Sequence, residues 1–174
     1  GRLLVRDLAP LVRAFGVGPD YLQDTKLGLE HVNFADRGHQ LTRSFRALKV
    51  WMSIQTFGLA KFREAIERTI ALATAAGALV ESTADLELLS PPSLGVLCFR
   101  YRPAGDDWTP ERIEKLNEAI QARVIESGTA MISSTRLRGT YSLRLCIMSH
   151  QTGWSDVRGT IEGIAAHGRE LARA

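Results

Sequence analysis

Few side chains in this 174-residue sequence have the type and spacing that chemistry demands. The four histidines, His31, His39, His150 and His167, fall at no metal-ligand spacing with each other, with Cys or with Asp, so no metal site is expected. Cys98 and Cys146 both lie in apolar stretches and read as buried, unreactive thiols. No nucleophile elbow, phosphate loop or dinucleotide fingerprint occurs. Asp106, Asp107 and Glu111 read as an acidic helix entry, not as a catalytic carboxylate pair. Three features remain. Arg37, Arg43, Arg46 and Lys49 form a basic stretch, in which Arg43, Arg46 and Lys49 share one side of a helix. They suit either salt bridges, within the chain or across a subunit interface, or an anion site near a helix start. Arg144 sits inside the apolar run YSLRLCIM. Alternation places it with Cys146 and Met148, opposite Leu143, Leu145 and Ile147. A charge there needs a partner, either a structural ion pair or the anion of a ligand. Tyr21 stands in a loop and is either an ordinary loop aromatic or a general acid carried over a site.

The elements that would position these residues follow from hydrophobic period. Leu8, Leu11, Val12 and Phe15 suit a short helix broken by Gly16 to Asp20, and residues 21–40 read as a long loop. Thr42 to Phe57 reads as a helix that is apolar on most sides, hence buried, with Gly58 as its stop or kink. A second helix follows to about Leu79, with Leu59, Phe62, Ile66, Ile70 and Ala73 inward. Leu86 to Leu89 suits a short strand, Pro91-Pro92 a turn, and Leu94 to Tyr101 a second strand. Thr109-Pro110-Glu111 opens a helix, and Gly128 ends it. Its buried stripe is Ile113, Leu116, Ile120 and Val124. Met131 to Arg136 and Tyr141 to Met148 form a hairpin around Arg138-Gly139-Thr140. A last helix opens at Gly153-Trp154-Ser155-Asp156, with Val157, Ile161, Ile164 and Ala165 inward. The sum is two helices and then ββαββα: an α+β fold with an antiparallel sheet covered by helices on one face.

Composition narrows the classes. Apolar residues are 45% and charged ones 24%, ordinary for a globular protein. The net charge of +3 is too small to point to nucleic acid. No apolar run approaches the roughly 20 residues of a membrane helix, so neither partner is expected. Two cysteines make no disulfide framework, and Gly1 to Asp7 holds no signal-peptide core, so the expectation is cytoplasmic. The chain opens on Gly and not Met, which suggests a processed or truncated chain. Basic residues are 18 Arg and only four Lys: Lys26, Lys49, Lys61 and Lys115.

Three segments carry a resemblance. Gln40 to Trp51, QLTRSFRALKVW, resembles the "L-(G/S)-R-R-F-R-(S/A)-L-K-x-W" segment of the pyridoxal-phosphate-dependent group II amino-acid decarboxylases. Asp20-Tyr21-Leu22 resembles the "P-x-Y-L" of their catalytic loop. Leu143 to Ser149 resembles their C-terminal "(L/F)-R-x-x-I-S". The order and spacing agree over essentially the whole chain. The helix motif is the specific one of the three.

The resemblance implies a C-terminal fragment of an α/β, aminotransferase-like (fold type I) enzyme. Residues 1–41 would end the large cofactor domain, 42–80 would be connecting helices, and 81–174 would be the small C-terminal α+β domain. In the family the lysine that holds pyridoxal 5'-phosphate follows a histidine. None of the four lysines here does, so the attachment lysine is expected outside this chain, and the chain alone is expected to be inactive. The parent enzyme would release CO2 from an L-amino acid and leave an amine, as a homodimer with its sites at the subunit interface. Tyr21 matches the loop tyrosine held to protonate the carbanion left by CO2 loss. Relatives with Phe there tend toward aldehyde-forming oxidation. Thr42 matches a Gly/Ser position lining the substrate pocket, and its extra bulk argues against an indole-sized side chain. Arg144 matches an arginine that meets the substrate carboxylate in glutamate-acting relatives. Ser44 departs from the motif's second Arg. Arg43 and Arg46 are candidate anion or interface contacts.

Two alternatives stand beside this reading. One is an aldehyde synthase or related lyase on the same fold. The other is a non-enzymatic α+β interaction module, which the lack of paired exposed aromatics flanked by basic residues makes unsuited to RNA.

Overall fold

The β3–β4 hairpin shows how local sequence sets this fold. Arg138 (φ 50°) and Gly139 (φ 84°) both take the left-handed conformation, so a two-residue turn joins Ser133–Leu137 to Thr140–Cys146 with the twist the strands require. The computed structural model describes residues 4–16, 34–40, 44–105 and 107–173. Contacts group the chain into two units, Gly1–Gln55 and Thr56–Ala174, each considered by itself.

In the first unit, α1 spans Ala9–Phe15. The Asp7 carboxylate accepts the Ala9 N–H at 3.0 Å, and the Gly16 N–H closes the helix on Val12 O at 2.8 Å. A single 3₁₀ turn follows at Phe34–Arg37, with the Arg37 guanidinium 5.9 Å from the centre of the Phe34 ring. Helix α2, Arg46–Ser82, begins in this unit and has most of its length in the second; it is two helices joined at Gly58 (φ 77°, ψ 154°), a conformation that only glycine holds without strain. The kink expected at Gly58 is therefore present.

The burial expected for 42–57 is not. Phe45 is 71% exposed, Trp51 60% and Phe57 63%. Hydrophobic period reports how much apolar surface a helix carries, not what stands against it. Among the described residues most of its large apolar side chains stand exposed.

In the second unit, four antiparallel strands make one sheet in the order β1-β2-β4-β3. β1 is Leu86–Ser93 and β2 is Val96–Tyr101. The turn expected at Pro91-Pro92 falls instead at Leu94-Gly95, and both prolines lie inside β1. This is allowed because β1 is an edge strand, where a missing N–H breaks no ladder. Register shifts between Leu88 and Ser90, and again between Ser90 and Ser93, absorb the irregularity.

Helix α3, Pro110–Glu126, starts as its sequence predicts. The Thr109 hydroxyl accepts the Arg112 N–H at 3.4 Å, and Pro110 occupies the first turn. Its expected stripe is buried, and so is Asn117, which lies within it. Helix α4, Trp154–Arg173, buries Val157, Ile161, Ile164 and Ala165, all four of them expected. These stripes meet Leu97, Phe99, Tyr101, Leu143 and Leu145 on one face of the sheet, and Ala73, Ala76 and Val80 of α2 join the same core. The small domain is the α+β arrangement expected.

Candidate functional site

Alternation along β2 and β4 sends their apolar side chains to the helices and the rest to the second face of the sheet. That face carries Glu87, Arg100, Cys98, Arg144 and Cys146, and the pairings Glu87–Arg100, Cys98–Arg144 and Val96–Cys146 set their register. It is the most chemically equipped surface among the described residues.

Two arginines on this face are held in different ways. Arg100 Nε donates to the Glu87 carboxylate at 2.6 Å, and Arg102 approaches the same carboxylate at 3.5 Å. Arg100 is thus neutralised where it stands. Arg144 is exposed and pairs with no carboxylate among the described residues. Its Nε donates to Cys146 Sγ at 3.1 Å, and its backbone carbonyl accepts the Ser133 hydroxyl at 3.3 Å. The hydrogen bond to Cys146 holds the guanidinium above its ordinary pKa. Of the two partners open for Arg144, the structural ion pair is absent from the described residues. Cys146 also departs from expectation. Cys98 is buried, but Cys146 is only partly so and carries the hydrogen bond to Arg144. The signal was in the sequence, because residues two apart on a strand share a face.

The remaining candidates divide. Tyr21, Thr42 and Arg43 lie outside the described residues. Arg46 opens α2 and is exposed, its backbone N–H bonded to Ser44 O at 2.8 Å. Arg46 and Arg144 belong to different units.

Three lysines are described, and none suits a cofactor linkage. Lys49, Lys61 and Lys115 all sit on helix surfaces in solvent, and Lys61 pairs with Glu64 at 2.8 Å. A lysine that holds an aldehyde cofactor is buried beside groups that grip the rest of the molecule. The described residues do not form such a cradle.

A family model described as the pyridoxal-dependent decarboxylase conserved domain matches residues 1–102. The chain is similar to an aromatic-L-amino-acid decarboxylase of Bacillus atrophaeus, 33% identical over 99% of this chain and 36% of that protein. It is 27% identical to tyrosine decarboxylase 1 of Narcissus pseudonarcissus, over 97% of this chain and 34% of that protein. Among solved structures it resembles Oryza sativa TDC with PLP and tryptamine, at 28% identity and a TM-score of 0.86, covering 96% of this chain and 35% of that one. The chain therefore spans about a third of the length of these relatives.

Proposed function

We infer, since the chain belongs to the pyridoxal-dependent decarboxylase family, that it is the C-terminal portion of an enzyme that removes CO2 from an aromatic L-amino acid. The observation that carries this is the likeness of fold and sequence over 96% of the chain. Pyridoxal phosphate, bound elsewhere in the longer protein, supplies the electron sink for decarboxylation. The solvent-exposed setting of Lys49, Lys61 and Lys115 supports an attachment in another segment. The working protein is a cytoplasmic homodimer.

This chain's contributions are a proton donor, a pocket wall and a charge. Tyr21 donates a proton to the carbon that has lost CO2. Thr42 limits the pocket's width and favours a phenol over an indole. Arg144 meets the carboxylate of the substrate, a role supported by its exposed guanidinium with no carboxylate partner among the described residues. Arg43 and Arg46 contact the neighbouring subunit or an anion.

The test is an absorption spectrum of the full-length protein with pyridoxal phosphate, then with borohydride, followed by CO2 release from L-tyrosine, L-DOPA and L-tryptophan. A visible band that borohydride fixes to a lysine outside this chain, with CO2 and amine formed together, is the expected result. Aldehyde and peroxide in place of amine would make it an aldehyde synthase. No band would leave a binding module.

A further inference from the structure

We propose that Cys146 is a positioning residue: its sulfur fixes the Arg144 side chain so that the guanidinium faces an incoming carboxylate with its full charge. The proposal rests on the reading of Arg144 as the carboxylate contact and adds to it the residue that holds it in place.

Three observations carry it. Arg144 Nε donates to Cys146 Sγ at 3.1 Å, and that is the side chain's hydrogen bond among the described residues. The Nη groups, the pair that fits a carboxylate fork, have no protein partner there. Leu145, between the two, is buried in the core, so the strand segment bearing both side chains is anchored. The neighbouring Arg100 shows the alternative. Its Nε is held at 2.6 Å by Glu87, a partner that orients the side chain but cancels its charge. A thiol sulfur is a weak, uncharged acceptor. It restrains a flexible arginine at Nε and leaves the positive charge for a ligand. Restraining the side chain beforehand removes part of the ordering cost of binding.

The experiment uses the full-length holoenzyme and the probe 3-(4-hydroxyphenyl)propionate. This carboxylate has no amine and so cannot react with an aldehyde cofactor. Its dissociation constant is measured by calorimetry, beside KM and kcat for L-tyrosine. Arg144→Gln is expected to weaken the probe about tenfold or more, the loss of a charged hydrogen-bonded contact. Cys146→Ala is expected to weaken it about threefold to tenfold and to raise KM more than it lowers kcat. Cys146→Ser, which keeps an acceptor, is expected to restore binding to within about twofold. Cys146→Ala added to Arg144→Gln should cost nothing further.

Each other outcome decides something. If Arg144→Gln binds the probe like the wild type, the reading of Arg144 fails and the proposal with it. If Arg144→Gln is weak while Cys146→Ala is unaffected, the reading stands and the proposal is overturned. If Cys146→Ser is as weak as Cys146→Ala, the sulfur acts by packing and not by its hydrogen bond, which also overturns it. Melting curves accompany every variant. Cys146→Val, which fills the space without accepting a hydrogen bond, replaces any alanine variant that melts early.

Discussion

The side-chain amide of Asn117 serves as the missing strand neighbour of Tyr101. The Tyr101 N–H donates to Asn117 Oδ1 at 2.8 Å, and Asn117 Nδ2 donates to Tyr101 O at 2.8 Å and to Ile113 O at 2.8 Å. The pairing of β2 with β4 extends to Phe99 and Leu143. Beyond that point a fully buried asparagine on α3 takes over the ladder.

Removing it leaves two buried backbone groups of Tyr101 unpaired. Asn117→Ala is therefore expected to destabilise the protein by about 2–6 kcal/mol, at about 1–3 kcal/mol per unsatisfied group. Urea unfolding checks this through a lower midpoint at unchanged slope. Asn117→Asp should also destabilise, because it offers no donor to Tyr101 O or Ile113 O. A variant as stable as the wild type would show that water replaces the amide.

Tyr101 meets α4 at Gly168, where an added Cβ would collide with its ring. Gly168→Ala gains about 1 kcal/mol in helix propensity. Overpacking against a buried ring costs about 1–3 kcal/mol. The collision wins, because the ring is hemmed in by the core. A lower melting temperature is expected here. Gly163→Ala, with nothing near its Cβ, should raise it.

Burial, and then the nearby Asp85 carboxylate, push the Tyr101 phenol above its ordinary pKa, against the opposing effect of Arg169 and Arg173. The folded state thus holds the phenolic proton more tightly than the unfolded state does. Its contribution to stability is complete below the unfolded value of about 10 and is lost as pH rises through the folded value. Absorbance at 295 nm should show one tyrosine ionising late, with loss of structure. Tyr101→Phe should abolish that late phase and flatten the alkaline decline in stability.

Tyr21→Phe in the full-length protein tests the proton donor. Amine formation is expected to fall by about 100-fold or more, the scale of a general acid. Aldehyde should appear in its place. Quantifying both products from L-tyrosine decides it, and unchanged amine output would remove Tyr21 from the chemistry.

Much of the small domain was legible because its signals are local. Thr109-Pro110 marks a helix start by its own hydrogen bonding, and Arg138-Gly139 marks a turn by its own dihedral angles. What was misread depends on neighbours. Pro91-Pro92 reads as a turn until the strand is known to lie at an edge. Asn117 interrupts an apolar stripe, and that polar break was the only sign of its tie to Tyr101. Alternation put Arg144 and Cys146 on one face, but side-chain reach decides whether they touch. Of the site, Arg144 and Arg46 are described, whereas Tyr21, Thr42 and Arg43 rest on the motif resemblance.

The prolines in β1 have a consequence for how this chain behaves among its copies. An edge strand offers free N–H and C=O groups to any passing strand, the route by which sheets grow into fibres. Pro91 and Pro92 carry no N–H, and the register shifts beside them spoil the flatness that a templated strand requires. Along that half of its outer margin the sheet is closed to recruitment. The opposite margin, β3, has no proline in Ser133–Leu137 and carries its safeguard in charge, with Arg136 drawn to Glu114 of α3. Polymerisation by strand addition, where conditions drive it, should therefore begin at β3 and not at β1.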